Sequence, residues 1–192
     1  TRTLGRATAK ATGAGKVNMT STTAYAGQIS LDANSWNSAL DISQIETAIG
    51  NGKKIVLGSS VNPLQTYFNS TSVLYYAPSL VSSADNTIRL GGGGNQGNLA
   101  FGVGTFENVF TTLGANIQIG TLSPSGTPYS DGIGNITLNG RNTNLTSSQT
   151  VTVNAGSRLN IANSYALGAA TLDLNNVGNN GALVQFNASI KN

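Results

Sequence analysis

Residues 134–190 are a train of aliphatic–polar–aliphatic triplets closed by Asn or Gly. They run Ile136-Thr-Leu138, Val151-Thr-Val153, Leu159-Asn-Ile161 and Leu172-Asp-Leu174, followed by the segment Ala182–Asn187. Alternation with period two places both aliphatic residues of a triplet on one face. A triplet is too short to bury that face alone, so the segments must stack on one another. Leu138 to Ile161 is 23 residues, Ile161 to Leu183 is 22 and Val153 to Leu174 is 21. A recurrence of roughly 20–25 residues suits one turn of a solenoid. The expected fold is therefore all-β, a right-handed parallel β-helix. The alternative is a β-sandwich, whose short strands and turn signals recur at roughly 8–12 residues.

The 192 residues are enough for one sizeable domain. The surface is hydroxyl- and amide-rich: 24 Asn, 24 Gly and 42 Ser plus Thr stand against 9% charged residues. Hydrophobic residues still make up 39%, placed in alternation, which argues for ordered, turn-rich β rather than disorder. The chain has no Cys and no His. That removes disulfides, iron–sulfur clusters, thiol catalysis and imidazole metal sites together. No apolar run approaches the roughly 18 residues of a membrane span. The start at Thr1, without Met or a charged-then-apolar leader, reads as a processed or excised segment.

The net charge of +3 is unevenly placed, because Arg2, Arg6, Lys10 and Lys16 precede the first acid, Asp32. Residues 1–27 form an extended basic arm, and 28–192 a single β-solenoid domain. The arm carries no aromatic residue before Tyr25 to stack a base, which argues against nucleic acid. Its sizeable aliphatics, Leu4, Val17 and Met19, are too few to offset an ordering entropy of roughly 1–2 kcal/mol per residue. Such an arm needs a surface from elsewhere, and a strand edge on a neighbouring copy offers backbone hydrogen bonds that do not depend on side chains. Arg2, Leu4, Arg6, Lys10, Lys16 and Val17 are the expected subunit contacts. The arm's charges would face acids such as Asp85, Glu107 or Asp131 of that neighbour, and head-to-tail contacts of this kind propagate into a homopolymer.

Further along, Gln28–Asp32 is the first strand triplet, and Trp36 reads as a packing plug. Asp41–Gly50 is the one helix. Asp41 with Gln44, or Ser43 with Glu46, has capping-box spacing, and Ile42, Ile45 and Ile49 share a face. Gly50-Asn51-Gly52 ends it, and Lys53–Leu57 reads as a strand. Residues 61–87 hold Tyr67, Phe68, Tyr75 and Tyr76 and read as an aromatic-packed excursion. Thr87–Leu90, Asn98–Phe101, Val109–Leu113 and Asn116–Ile119 are further strands, and 123–134 is a Pro/Gly loop.

The motifs with chemical potential fail on context. Gly92, Gly94 and Gly97 satisfy G-x-G-x-x-G, but a strand pattern follows where dinucleotide binding needs a helix N-terminus. Gly13-Ala-Gly-Lys16 lacks the upstream Gly of a P-loop, and Val17 replaces its hydroxyl residue. The glycine run from Gly91 lacks the carboxylate of a Ca²⁺-binding nonapeptide. Of seven acids, Asp41 and Glu46 read as helix-terminus charges, Asp131 as a loop residue and Asp173 as outward-facing, with no pair placed for glycoside hydrolysis. No cofactor, metal or catalytic residue is expected. The Asn residues that close the segments, Asn139, Asn154, Asn163, Asn175 and Asn187, suit either sharp turns or an amide ladder between stacked strands.

One stretch resembles a known family. Val153–Leu174 carries Ala155-Gly156, Leu159-Asn-Ile161, Ala166-Leu-Gly168 and Leu172-Asp-Leu174. These are similar in order to the autotransporter-associated β-strand repeat of bacterial passenger domains, with Ser157-Arg158 as a one-residue lengthening. Asp41–Leu57 resembles the helix-to-strand connections of large secreted β-helical adhesins. The resemblance implies a non-enzymatic protein of the bacterial surface or extracellular space: an adhesin segment or a self-assembling fibre subunit, with itself and host or matrix glycans as partners. Two other readings stand beside it, a sandwich-type filament subunit joined by strand donation and a β-helical polysaccharide lyase or hydrolase.

Overall fold

The computed structural model describes residues 25–31, 35–36, 39–49, 54–59, 73–75, 80–91, 98–102, 109–110, 114–121, 135–176 and 181–187. The described chain is mostly β. Its strands are β1 (Tyr25–Leu31), β2 (Ser35–Trp36), β3 (Leu40–Asp41), β4 (Lys54–Ser59), β5 (Val73–Tyr75), β6 (Leu80–Val81) and β7 (Thr87–Leu90). They continue with β8 (Asn98–Phe101), β9 (Asn116–Ile119), β10 (Asn135–Leu138), β11 (Thr150–Asn154), β12 (Arg158–Ile161), β13 (Thr171–Asn175) and β14 (Leu183–Phe186). The helix α1 (Ile42–Ile49) lies between β3 and β4.

Successive strands alternate between two six-stranded sheets. One has the order β1-β4-β7-β9-β11-β13 and the other β14-β12-β10-β8-β5-β2. A third, two-stranded sheet joins β3 to β6, and Phe110 extends it by bridging to Leu80. All the described ladders are parallel. Each pass of the chain thus lays one strand on each large sheet, directly over the equivalent strand of the pass before.

The inward residues form columns across the passes. In the first sheet Ile29, Leu57, Leu90, Ile119, Val153 and Leu174 stand in register. In the second sheet Leu99, Ile136, Leu159 and Val184 do so. Leu57, Leu90, Ile119, Val153, Leu99 and Leu159 are fully buried. The rings of Phe101 and Phe110 meet with centroids 5.2 Å apart at 45°, where the second sheet faces the third. Polar residues take the alternate positions and bond between passes. Asn160 donates to Thr137, 23 residues back, and Thr137 donates to Asn98.

The 21- and 23-residue separations are the true register of Asn154 with Asn175 and of Thr137 with Asn160. The third expected spacing is corrected. Ile161 pairs with Phe186 rather than Leu183, and Leu183 lies opposite Arg158. Earlier passes are longer, as with the 34 residues from Asn116 to Thr150, because their connections carry the third sheet or the turns of 139–149. The strand expected at Val109–Leu113 is a single bridge at Phe110 among its described residues. The expected excursion over 61–87 contains β5 and β6, which join the parallel sheets. β1 begins at Tyr25, inside the span assigned to the arm.

Leu174 was expected to point into a closed interior, but it is 45% exposed, and Leu172 is only half-buried. Both lie on β13, the last strand of its sheet among the described residues, so no described strand covers them. Amide and turn chemistry divide the segment-closing Asn residues. Asn175 donates to Asn154 Oδ1 at 2.9 Å, and the buried Asn154 donates to Gly120 O at 2.8 Å. Asn163 instead accepts from the backbone of Tyr165. Gly120 has φ +77°, and a Cβ there would lie 2.1 Å from Ser157 Oγ, so the ladder ends on a position that requires glycine.

Alanine substitution at Ile136, Leu138, Val151, Val153, Leu159 or Ile161 should cost about 2–4 kcal/mol, the usual range for a buried aliphatic. Leu174→Ala should cost under about 1 kcal/mol, as at an exposed position. Denaturant melts of the set, compared at constant slope, check the contrast.

Candidate functional site

Two features stand apart from the repeating ladders: a charged cluster beside α1 and the uncovered edge at β13 and β14. The cluster begins with the helix cap. Asp41 Oδ1 accepts the backbone N–H of Gln44 at 3.0 Å and the hydroxyl of Ser43 at 2.6 Å, so Asp41 is the capping residue. Glu46 was expected to serve as a helix-terminus charge, but it turns inward and is 7% exposed. Its Oε1 accepts the backbone N–H of Ile55 at 2.9 Å, and its Oε2 accepts the hydroxyl of Ser83 at 2.5 Å. The separation from Asp41 explains the difference: Asp41 already satisfies the first turn, and a carboxylate one turn further on reaches β4. A buried carboxylate needs such donors, since stripping its water without replacement is strongly unfavourable.

Lys54, at the start of β4, joins Glu46 to a second acid. Its Nζ lies 3.6 Å from Glu46 Oε2 and 3.5 Å from Asp85 Oδ2, and it donates to Ser83 Oγ at 3.1 Å. Two acids that show no pairing in sequence thus share one ammonium. Arg89, four residues after Asp85, donates to both of its oxygens at 3.2 and 2.6 Å. Burial, the largest influence on Asp85, pushes its carboxyl up. The Arg89 hydrogen bonds and charge, the Lys54 charge and the Ser83 hydrogen bond outweigh it and hold the pKa at about 2. Asp85 is therefore engaged within its own chain.

Ser83, Lys54 and Glu46 have the residue types of a nucleophile and its partners. Their geometry serves packing. Ser83 is 2% exposed, gives its proton to Glu46 and accepts one from Lys54, so its oxygen has neither an approach nor a free base. Among the described residues no three or more Asp and Glu gather as a metal site. An open concavity of about 330 Å³ is lined by Asn135, Gly156, Ser157, Arg158, Gly181 and Leu183 and holds no carboxylate.

The second feature is the edge. Leu174, Leu183 and Phe186 are 45–50% exposed and lie on the last strand of each large sheet. The remaining large exposed apolar residue, Tyr165, has the Arg141 guanidinium 4.8 Å above its ring. Asp173 is exposed between Leu172 and Leu174, as expected. The expected subunit contacts Arg2, Leu4, Arg6, Lys10, Lys16 and Val17 lie outside the described residues, as do Gly92–Gly97, Glu107 and Asp131. The edge was hidden in the sequence, because Leu174 and Phe186 carry the same alternation as the buried triplets. No helix among the described residues is long and apolar enough to cross a membrane. Compared with family models, curated proteins and solved structures, the chain matches none.

The folded pKa of Asp85 lies below its ordinary value of 3.8, so its contribution to stability is present above that value and fades as pH falls towards 2. Asp85→Asn should therefore flatten the loss of stability between these limits in acid-titrated thermal melts. Glu46→Ala should cost about 3 kcal/mol or more at neutral pH, because it strands buried donors and one end of the Lys54 pair. The same melts read both.

Proposed function

We propose that the chain is a non-enzymatic extracellular structural protein, coiled as a right-handed parallel β-helix. It would act as a segment of a bacterial surface adhesin or as a subunit of a self-assembling surface fibre. The observation that carries this reading is the return of parallel strands to the same two sheets, pass after pass. Parallel strands need crossover connections, and in one sheet these are nearly always right-handed. A sandwich filament subunit would pair its strands antiparallel, so the parallel ladders favour the coil.

The autotransporter-like stretch supports the same reading. Its segments fall on β11, the turn at Gly156, β12, the turn at Gly168 and β13, which together make one full pass. A rigid, weakly charged rod with a hydroxyl- and amide-rich face suits display or matrix building, with glycans as partners at the surface. The lyase or hydrolase reading lacks a supporting feature among the described residues. The acids Glu46 and Asp85 are tied to Lys54 and Arg89, and the concavity beside Ser157 and Leu183 holds none.

Incubation with acidic and neutral polysaccharides should release no product above buffer. Oriented films of the purified protein should diffract at about 4.7–4.9 Å along the long axis of the rod, the spacing of stacked parallel strands. Polysaccharide turnover would refute the non-enzymatic role, and a spacing perpendicular to the rod would refute the coil.

A further inference from the structure

The uncovered edge has a counterpart at the other end of the same sheets. β1 and β2 are the first strands of the two large sheets, and β13 and β14 are the last. Both pairs run in the same sense, because every ladder between them is parallel. The register columns begin and end on matching residue types. The first sheet's column starts at Ile29 and ends at Leu174. In the second sheet Trp36, Tyr75, Phe101, Leu138, Ile161 and Phe186 share one backbone register position from strand to strand.

We propose that the β13–β14 edge docks the β1–β2 edge of a second copy of this chain, so that both parallel ladders run on from one molecule into the next. The proposal rests on the coiled architecture above and names the surface through which such a rod would polymerise. In the continued register Leu174 meets Ile29, Asn175 meets Ser30 and Phe186 meets Trp36. The apolar exposure at Leu174 and Phe186, which continue buried columns, would be covered. No like charges meet across the joint, since β1, β2 and β14 carry no charged residue and β13 carries only Asp173. β14 also lacks the Lys, Pro or bulge that usually blunts an exposed edge, and its register with β12 is unbroken. The contact is heterologous and leaves a fresh edge after each addition, so it builds a filament.

The second copy's strands are a better occupant than its basic arm. A joint between these neutral strands is insensitive to salt, whereas arm contacts through Arg2, Arg6, Lys10 and Lys16 would be screened.

The test uses the absence of cysteine in the chain. In the variant Ser30→Cys with Asn175→Cys, the two thiols would sit on neighbouring strands about 4.8 Å apart, within the span a disulfide bridges. Oxidation should give a ladder of covalent oligomers on a denaturing gel. The variant Ser30→Cys with Thr171→Cys moves one thiol four residues along β13, about 13 Å away, and should give none. Leu174→Lys with Phe186→Lys, at positions already exposed, should keep the wild-type melting temperature and lose pelleting in sedimentation. Pelleting of the wild type should persist at high salt and after deletion of residues 1–24.

The proposal is overturned if the Ser30/Asn175 pair gives no ladder, if both pairs link equally, or if the double-lysine variant still pellets. It is overturned in favour of the arm if a deletion of 1–24 with a wild-type β spectrum loses pelleting. A wild type that stays monomeric also overturns it, as expected if further passes of a longer polypeptide cover this edge. None of these results depends on the polysaccharide and diffraction measurements that test the structural role itself.

Discussion

The parallel backbone ladder between successive passes is the constraint on which everything else in this protein depends. The strands β10 to β13 are four or five residues long, too short to persist as isolated pairs. Each acquires partners on both edges only because the next pass repeats its register. That repetition brings Leu57, Leu90, Ile119 and Val153 into one dry column, and it brings Asn98, Thr137 and Asn160 into one hydrogen-bonded column. Burial of the first column supplies the driving force, and the second satisfies polar groups between the sheets.

The charged cluster is the place where this regularity is interrupted and tied down. α1 cannot enter a sheet, so its attachment depends on side chains. Glu46 reaches from the helix to the N–H of Ile55 at the start of β4 and to Ser83 beyond β6. Lys54 and Arg89 complete the connection through Asp85. The network links α1, β4 and the stretch from β6 to β7. Its residues resemble catalytic ones only in type, because the Ser83 hydroxyl and both carboxylates are engaged within the fold.

The other end has the opposite character. At β13 and β14 the columns stop without a cap among the described residues, and the exposed Leu174 and Phe186 follow Val153 and Ile161, which lie buried one pass earlier. Val153 has a described strand on each side, whereas Leu174, its partner in register, has one on a single side. The proposed role as a structural rod and the proposed joint between copies both come from this one fact: a ladder that can add a strand does not need a special interface to do so.

The sequence by itself determined the local units. The triplets, the helix with its Asp41 cap, the strand at Asn116–Ile119 and the outward place of Asp173 were all legible, because period-two alternation and capping chemistry act within a few residues. Two of the three spacings read from the repeats are true registers for the same reason: those passes have short turns. Only the tertiary structure decided the rest. It set the Phe186 register, the membership of β5 and β6 in the parallel sheets and the inward turn of Glu46 towards a serine 37 residues away. It also decided that Leu174 is exposed while Leu159 is not. Burial belongs to the strand that lies on top, and no residue's own neighbours in the chain can say whether one is there.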